Sequence, residues 1–420
     1  MSIQAVRGTR DIHGEEMQKW HRAEQVFRDV ADAFSYQEYR TPIFEQTELF
    51  KRGVGQDTDI VGKEMYTFED RGGDSLTLRP EMTAPIVRAC MEHSLLHHNP
   101  IQRLWYAGPQ FRYDRPQKGR YRQFHQFGAE CIGSPHPEAD AEIILLAYEA
   151  LRRYGVTSFT LEINSLGTAD VRSAYRAALI AFLEQHAGQL SEDSQKRMHA
   201  NPLRVLDSKD ERDKTVVAQA PLLRDYLDDA SRAHMEAVLV LLDAAGVPYR
   251  VNPYLVRGLD YYNHIVFEFT TDALGTQNAI GGGGRYDPLF SILGGGEQSA
   301  VGFSIGIERM ILLHDAEHAD SLEKPAPHGV YISAIGDQAR LPVQIIALRL
   351  RRKGVHVVTD LLRRSVKAQM KDANRENVAF SVMIGESELA DQTAVVKNMV
   401  TGEQVTVEQG NIESVVLKHE

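Results

Sequence analysis

Phe111-Arg-Tyr-Asp-Arg-Pro-Gln-Lys-Gly-Arg-Tyr-Arg122, continuing as Gln123-Phe-His-Gln-Phe-Gly-Ala-Glu130, is the stretch on which the fold turns. Five of its first twelve residues are basic, and they lie between two apolar runs, residues 103–106 and 124–131, that read as paired strands around a charged loop. Period-two alternation on the returning strand puts Gln126, Gly128 and Glu130 on one face and His125, Phe127 and Ala129 on the other. A Gln and a Glu on the covered side of a sheet need a ligand or polar partners, because an unpaired buried polar group is costly. Planar guanidinium groups bind phosphate through two parallel hydrogen bonds, so a basic loop containing Gly119 suits the gathering of several arginines on one anion. A solvated hairpin tip is the plainer alternative, and this stretch alone leaves it open.

On the N-terminal side, Met17, Trp20, Phe27, Val30, Ala31 and Phe34 fall at helical spacing and predict an amphipathic helix over residues 15–34. Residues 38–44 read as a strand that Pro42 confines to an edge, a bulge or an interface. A further strand at residues 75–79 ends at Pro80, and a helix is expected over 82–96. On the C-terminal side, residues 168–245 turn Ala-, Leu- and charge-rich, with helical periods at 171–186 and 235–244, which predicts a helical insertion. Strand signals resume at 247–255 and 265–270, and a Gly-dense stretch leads to a helix at about 306–313. Hairpins mixed with helices predict an α+β core, an antiparallel or mixed sheet with flanking helices, and not a repeating parallel array. Residues 315–327, with Pro325 and Pro327, read as a linker. Beyond it, strands at 329–335, 355–359 and 378–384 alternate with helices at 338–353 and 365–375, a small α/β domain. The expected division is residues 1–320 and 328–420.

The 420 residues carry a net charge of −11 on a 43% hydrophobic and 25% charged background, which excludes a disordered or collagenous chain. Cys90 and Cys131 are too few for a disulfide framework or a four-cysteine metal site and suit a reducing compartment. Residues 1–16 mix charges without the apolar core of a signal peptide, and no apolar run approaches the roughly 20 residues of a bilayer span. A cytosolic protein is expected. Residues 340–375 hold ten Lys or Arg against Asp360 and Asp372, which suits a polyanion partner or a pair of solvated helix faces.

Three further clusters could carry chemistry. In Leu255-Val-Arg-Gly-Leu-Asp-Tyr-Tyr-Asn263, Arg257 and Asp260 sit among apolar neighbours and either pair with each other or serve a site. Gly281-Gly-Gly-Gly-Arg-Tyr-Asp287 lacks the Lys-Ser/Thr of a P-loop; a Gly run after a strand instead permits close backbone approach. Val301-Gly-Phe-Ser-Ile-Gly-Ile-Glu-Arg-Met310 reads as a strand turning into a helix whose first turns hold Arg309, a position the helix dipole disfavours unless an anion is near. His93 and His97, four residues apart on a predicted helix, find no third metal ligand and read as surface or packing residues. Neither a GxSxG nor a GxGxxG motif follows a predicted strand, so serine hydrolase and dinucleotide-binding readings lack support.

Taken in order, Pro42 after a long helix, the arginine loop at 111–122 and the arginine helix at 306–310 resemble the three signature motifs of class II aminoacyl-tRNA synthetases. Leu78-Arg-Pro-Glu-Met-Thr83, the segment 115–126, Leu255-Val-Arg-Gly-Leu-Asp-Tyr-Tyr262 and Gly284-Arg-Tyr-Asp287 narrow the resemblance to the histidyl-tRNA synthetase family, over nearly the whole chain. The resemblance implies an antiparallel sheet core with an inserted helical domain, a C-terminal anticodon-binding domain, a homodimer built partly around the Pro42 motif, and use of ATP with Mg²⁺. It implies two steps. Histidine attacks the α-phosphate of ATP to give histidyl-adenylate and pyrophosphate, and the 3′ end of the tRNA then takes the histidyl group.

By the same resemblance, Arg112 binds the α-phosphate, Arg309 and Glu308 hold ATP, and Arg257 stabilises charge developing opposite the attacking carboxylate while also touching histidine. Glu81, Thr83 and Gln126 take the histidine ammonium; Glu130, Tyr262 and nearby Tyr261 take the imidazole. Arg115, Gln117, Lys118 and Arg120 approach the tRNA acceptor end. No residue is assigned to Mg²⁺. Met82 stands where many relatives carry glycine, and the Tyr113-Asp114 pair has no assigned role. The alternatives are a non-catalytic paralogue acting as regulatory subunit of ATP phosphoribosyltransferase, another class II synthetase, or an RNA-binding module.

Overall fold

The computed structural model describes residues 3–55, 58–208, 210–259, 261–275, 278–319 and 326–417. The chain divides into two units, residues 1–320 and 321–420.

The first unit is built on an eight-stranded sheet in which the two long strands Gln102–Phe111 and Gln123–Ile132 pair antiparallel over their whole length, Phe111 opposite Gln123. The charged loop is therefore confined to residues 112–122. Next across the sheet come Ala300–Gly306, Ala279–Arg285, Asn263–Thr270 and Thr160–Ser165, all antiparallel, with the two-residue strands Gln37–Glu38 and Arg250–Val251 added in parallel at the edges. The mixed sheet agrees with the expected α+β core, and the alternation read from sequence holds. Phe127, Ala129 and Cys131 join Phe303 and Ile305 in a core shared with the helices Glu15–Ala33, Pro137–Tyr154 and Ile307–Glu317. There the Phe27 and Phe127 rings stack 4.1 Å apart. Tyr106 and Glu130 face the opposite side.

Several local expectations are corrected. The helix expected over 82–96 stops at Glu92, because Ser94 adopts φ +51° and a separate turn, Leu95–His98, follows. His93 and His97 consequently do not share one helix. Residues 38–44 do not form a continuous strand; Pro42 interrupts them, and the buried Arg79 holds Thr41 O (2.9 Å) and Pro42 O (3.2 Å), carbonyls that no ladder satisfies. The strand expected at 247–255 shrinks to Arg250–Val251. The glycine run does not follow a strand but is one, Ala279–Arg285; a Cβ at Gly281 or Gly282 would lie 2.5 Å from the backbone oxygen of Ser304 or Phe267 in the neighbouring strand. Asp260, one candidate partner of Arg257, lies outside the described residues; among the described residues Arg257 pairs with Glu268 at 2.5 Å.

The helix-rich stretch contains Ala169–Gln185, Glu192–Ala200, Leu203–Leu206, Glu211–Val217 and Asp229–Ala244, the last starting six residues before its apolar period. Thr168, Ser191, Asp210 and Asp228 cap four of these helices through their side-chain oxygens. The second unit carries a five-stranded sheet with Val330–Ala334 between Val357–Thr359 and Phe380–Ile384, all parallel, extended by the antiparallel hairpin Thr393–Asn398 and Gln404–Glu408, which the sequence reading did not include. Of its ten basic residues at 340–375, Arg349 and Lys353 pair with Glu413, and Arg364 and Arg375 with Asp372. The surface charge is thus smaller than the count suggests.

Both cysteines are buried and free, and burial pushes the Cys90 thiol up to about 12 and the Cys131 thiol up to about 11. Only the thiolate is nucleophilic, so iodoacetamide at pH 8 should modify the native protein more than about a hundredfold more slowly than the urea-unfolded chain. Mass spectrometry of a time course checks this, and comparable rates would contradict the burial.

Candidate active site

Glu130 is the centre from which the site is built. It is 0% exposed, and its Oε1 accepts hydrogen bonds from Thr83 Oγ1 (2.9 Å) and Tyr106 Oη (3.1 Å), while Oε2 accepts from Tyr286 Oη (2.7 Å). Small residues on adjacent strands make the space. Gly128 lies opposite Tyr106, where a Cβ would stand 2.5 Å from the tyrosine oxygen, and a Cβ at Gly302, opposite Glu130, would collide with the carboxylate itself. Burial pushes Glu130 up to about 8, and the three hydroxyl donors offset this only in part. Glu81, also buried, accepts the N–H groups of Thr83 (2.6 Å) and Ala84 (3.0 Å) at the start of the helix Thr83–Glu92; burial again raises its pKa.

A cavity of about 310 Å³ is lined by Glu81, by Thr83, Tyr106 and Tyr286, whose hydroxyls hold Glu130 behind them, and by Gln126, Arg257, Tyr261 and Tyr262. The tyrosine rings pack in a chain, Tyr261 to Tyr262 at 4.8 Å and Tyr261 to Tyr286 at 5.7 Å. Tyr286 is aimed by its neighbour: Arg285, 1% exposed, is locked by Asp140 (2.5 Å) and Asp287 (3.2 Å). Met82 lines the wall, its Sδ 3.7 Å from Thr41 Oγ1.

A second cavity, of about 270 Å³, adjoins the first, and Arg112, Arg120, Gln126, Arg257 and Ser304 line both. Its other walls are Phe124, the backbone of Gly281 and Gly282, Glu268 and Arg309. Arg112 donates from Nε to Pro80 O (2.9 Å), with its guanidinium 5.2 Å from the Phe124 ring centroid. At Gly282 a Cβ would stand 2.9 Å from Arg257 Nη1, so the glycine strand leaves room for that guanidinium. Burial lowers the Arg112 and Arg309 pKa values, with repulsion from Arg120 adding to both. Arg257 is also pulled down by burial, but Glu268 and the tyrosines outweigh this and hold it above its ordinary value. Crowded cations of this kind are relieved by a polyanion.

The structure therefore brings Glu81, Thr83, Gln126, Arg257, Tyr261 and Tyr262 to one cavity, with Glu130 behind the Thr83, Tyr106 and Tyr286 hydroxyls that line it, and Arg112, Arg309 and Glu308 to the other. Both Glu308 oxygens lie 3.0 Å from the His125 N–H and Oε1 lies 2.9 Å from its ring Nδ1, so this carboxylate ties the arginine helix to the sheet. Arg115, Gln117 and Lys118 are exposed at the loop tip, closed by a tight turn in which Gly119 has φ +74°. Arg120 parts from them: it pairs with Asp114 and lines both cavities. Sequence reasoning missed Tyr106, Phe124, Tyr286 and Glu268. Alternation marked Glu130 as needing partners but not which tyrosines supply them, though Tyr286 lay inside a quoted motif. Among the described residues, no group of three or more His, Cys, Asp and Glu could hold a metal, and no helix is long and apolar enough to cross a membrane.

Comparison with known proteins gives this geometry a context. Residues 8–310 match the family model of histidyl-tRNA synthetase, and residues 329–419 match that of an anticodon binding domain. The chain is 48% identical over 411 residues to a histidine--tRNA ligase of Cyanothece sp. (strain PCC 7425 / ATCC 29141), covering 98% of this chain and 95% of that protein. Its structure resembles the crystal structure of apo histidyl-tRNA synthetase from S. aureus, with a TM-score of 0.82 and 37% identity over 99% of this chain and 100% of the other. An ATP phosphoribosyltransferase regulatory subunit/histidyl-tRNA synthetase from Bacillus halodurans shares the fold at a TM-score of 0.65 and 24% identity, over 89% of this chain and 97% of that one. With the family model covering most of the chain and a relative at 48% identity along nearly its full length, the chain belongs to the histidyl-tRNA synthetase family.

Proposed function

We propose that this protein activates histidine with ATP and transfers it to the 3′ end of its tRNA. The observation that carries this reading is the pair of adjoining cavities meeting at Arg112 and Arg257. The first offers two buried carboxylates and a ring of tyrosine hydroxyls, donors and acceptors for an amino acid with a two-nitrogen side chain. The second offers guanidiniums, an aromatic face and bare backbone, which suit a nucleoside triphosphate.

In this reading Glu81, Thr83 and Gln126 hold the ammonium, while Glu130, with Tyr261 and Tyr262, takes the imidazole. A site whose buried groups are left unpaired by other side chains rejects them strongly. Arg112, Arg120 and Arg309 orient the phosphates, and Phe124 packs against the base. The histidine carboxylate oxygen attacks the α-phosphorus in line, the bond to the β-phosphate oxygen breaks, and pyrophosphate leaves. The reaction needs positive charge around a pentacoordinate phosphorus and no protein nucleophile; Arg257 supplies that charge from between the cavities. The terminal ribose hydroxyl of the tRNA then attacks the activated carbonyl, and AMP leaves. Mg²⁺ arriving with ATP would meet the hard oxygens of Asp114 and Glu268, which line the second cavity, and would neutralise phosphate charge there. Glu308 acts by holding His125 and the helix that presents Arg309.

Arg115, Gln117 and Lys118 face the acceptor end, and the C-terminal unit takes the anticodon. Exposed Ile43, Phe44 and Phe68, in and beside the three-stranded antiparallel sheet of Phe44–Gln46, Ser75–Leu78 and Tyr66–Glu69, support a homodimer through that face. Two buried free thiols fit the cytoplasm. Purified protein should attach labelled histidine to tRNA, and absence of charging despite tRNA binding would favour the regulatory paralogue. Replacing Arg115 and Lys118 together by alanine should weaken tRNA binding and flatten its salt dependence by about 0.7–0.9 in log–log slope per lost phosphate contact, with adenylate formation unchanged. An unchanged slope would remove the loop tip from the tRNA interface.

A further inference from the structure

The inserted helices reach the first cavity. Arg204, in the short helix Leu203–Leu206, lines that cavity and donates from Nη2 to Gly258 O over 2.8 Å, at the residue that follows Arg257. Arg172, in the helix Ala169–Gln185, donates to the carbonyl oxygen of Tyr262. Arg197, in the helix Glu192–Ala200, lies 3.7 Å from Asp59, which lines the same cavity. Two arginines from two inserted helices thus hold the backbone carbonyls of Gly258 and Tyr262, and a third reaches the carboxylate of Asp59. Residues 255–259 have no helix or strand of their own, so their carbonyls take donors from outside the segment.

We propose that Arg204 and Arg172 are positioning residues through which the helical insertion sets the affinity for histidine. The proposal rests on the assignment of the first cavity to histidine. Guanidinium-to-carbonyl bonds are charge-assisted and directional, so they hold Arg257, Tyr261 and Tyr262 in one arrangement before the substrate arrives. Without them the segment keeps Glu268 on Arg257 and Asn164 on Leu255 O but is held less firmly, and the ordering left to histidine is subtracted from the binding energy. The contacts also make the insertion a handle: a shift of its helices reaches the histidine cavity through two carbonyls.

The test is steady-state pyrophosphate exchange with the full-length protein. Arg204→Ala should raise the KM for histidine about tenfold, the scale of one lost hydrogen bond from a charged group, while the KM for ATP stays within about twofold. Arg204→Lys, which keeps one donor, should recover part of that loss. Gly258→Ala places a methyl 3.0 Å from Arg204 Nη2 and should displace this flexible guanidinium, raising the same KM by a smaller factor. It keeps the question answerable if Arg204→Ala misfolds. Unchanged histidine KM in these variants, or an equal loss for ATP and histidine accompanied by a lower Tm, overturns the proposal. Glu130→Gln measured alongside separates the two levels. If it raises the histidine KM and the Arg204 variants do not, the positioning role fails alone; if it too has no effect, the cavity assignment fails.

Discussion

Arg257→Ala should lower the rate of adenylate formation by about two to three orders of magnitude while leaving tRNA affinity close to that of the parent. The guanidinium stands between the two cavities, largely buried, with Glu268 on one side at 2.5 Å and the Tyr262 ring centroid at 5.8 Å on the other. Charge that develops at the α-phosphorus is therefore met by a cation already desolvated and already oriented, and removing one such group typically costs about 10²–10³ in rate. Arg257→Lys should recover little, because a single ammonium cannot keep Glu268 and also meet the phosphate. Single-turnover formation of the adenylate, with tRNA binding measured in parallel, checks both halves. A rate within tenfold of the parent would remove Arg257 from the chemical step, and a matching loss of tRNA binding would point to misfolding.

Glu130→Gln should separate substrate recognition from stability. The amide keeps the shape and can still accept from Thr83 and Tyr106, but its NH₂ end cannot accept from an imidazole N–H, so the histidine KM should rise by roughly 10–100-fold. Stability should move the other way. The folded state holds the Glu130 proton up to about pH 8, whereas the unfolded chain releases it near 4.5. Between those values the native state binds more protons than the unfolded one, so its stability falls as pH rises through that window and levels off above it. The glutamine variant has no such proton to lose. Its stability relative to the parent should therefore climb from pH 5 to pH 8.5, by an amount on the order of a few kcal/mol. Urea unfolding of both proteins at the two pH values reads this directly, and parallel curves would contradict the buried-carboxyl account.

How much of this was legible in the sequence follows from the range of the forces involved. Local periodicity placed the helix at residues 15–34, the strand pair around the arginine loop and the split of Phe127 from Glu130, because side-chain alternation and helical spacing are set within a few residues. The outlines failed where a distant group decided. Pro42 sits in an open segment because Arg79 reaches across to its carbonyls, and the break at Ser94 depends on one left-handed residue that no apolar pattern marks. The glycine run reads as following a strand because glycine is a poor strand former; it is itself a strand, and its neighbours lie too close for any side chain.

The site divides along the same line. Arg112 stood out in a basic loop, Arg257 as a cation among apolar residues and Arg309 in the first turns of a helix, and the three line two adjoining cavities. Tyr106 and Tyr286 did not stand out, since their task is to hydrogen-bond a carboxylate 24 and 156 residues away in the chain. Arg120, grouped by position with the loop tip, turns inward on Asp114 and lines both cavities beside Arg112 and Arg257. The insertion was visible as composition, but its hold on Tyr262 and Gly258 is a matter of three-dimensional placement alone.

The central claim is that the two cavities jointly bind histidine and ATP for reaction at the α-phosphate. Exchange of labelled pyrophosphate into ATP, run with each amino acid in turn and with and without Mg²⁺, tests it most directly. The account predicts Mg²⁺-dependent exchange with histidine and none above background with the others. A folded, ATP-binding protein that gives no exchange with histidine, or gives equal exchange with a different amino acid, would contradict it.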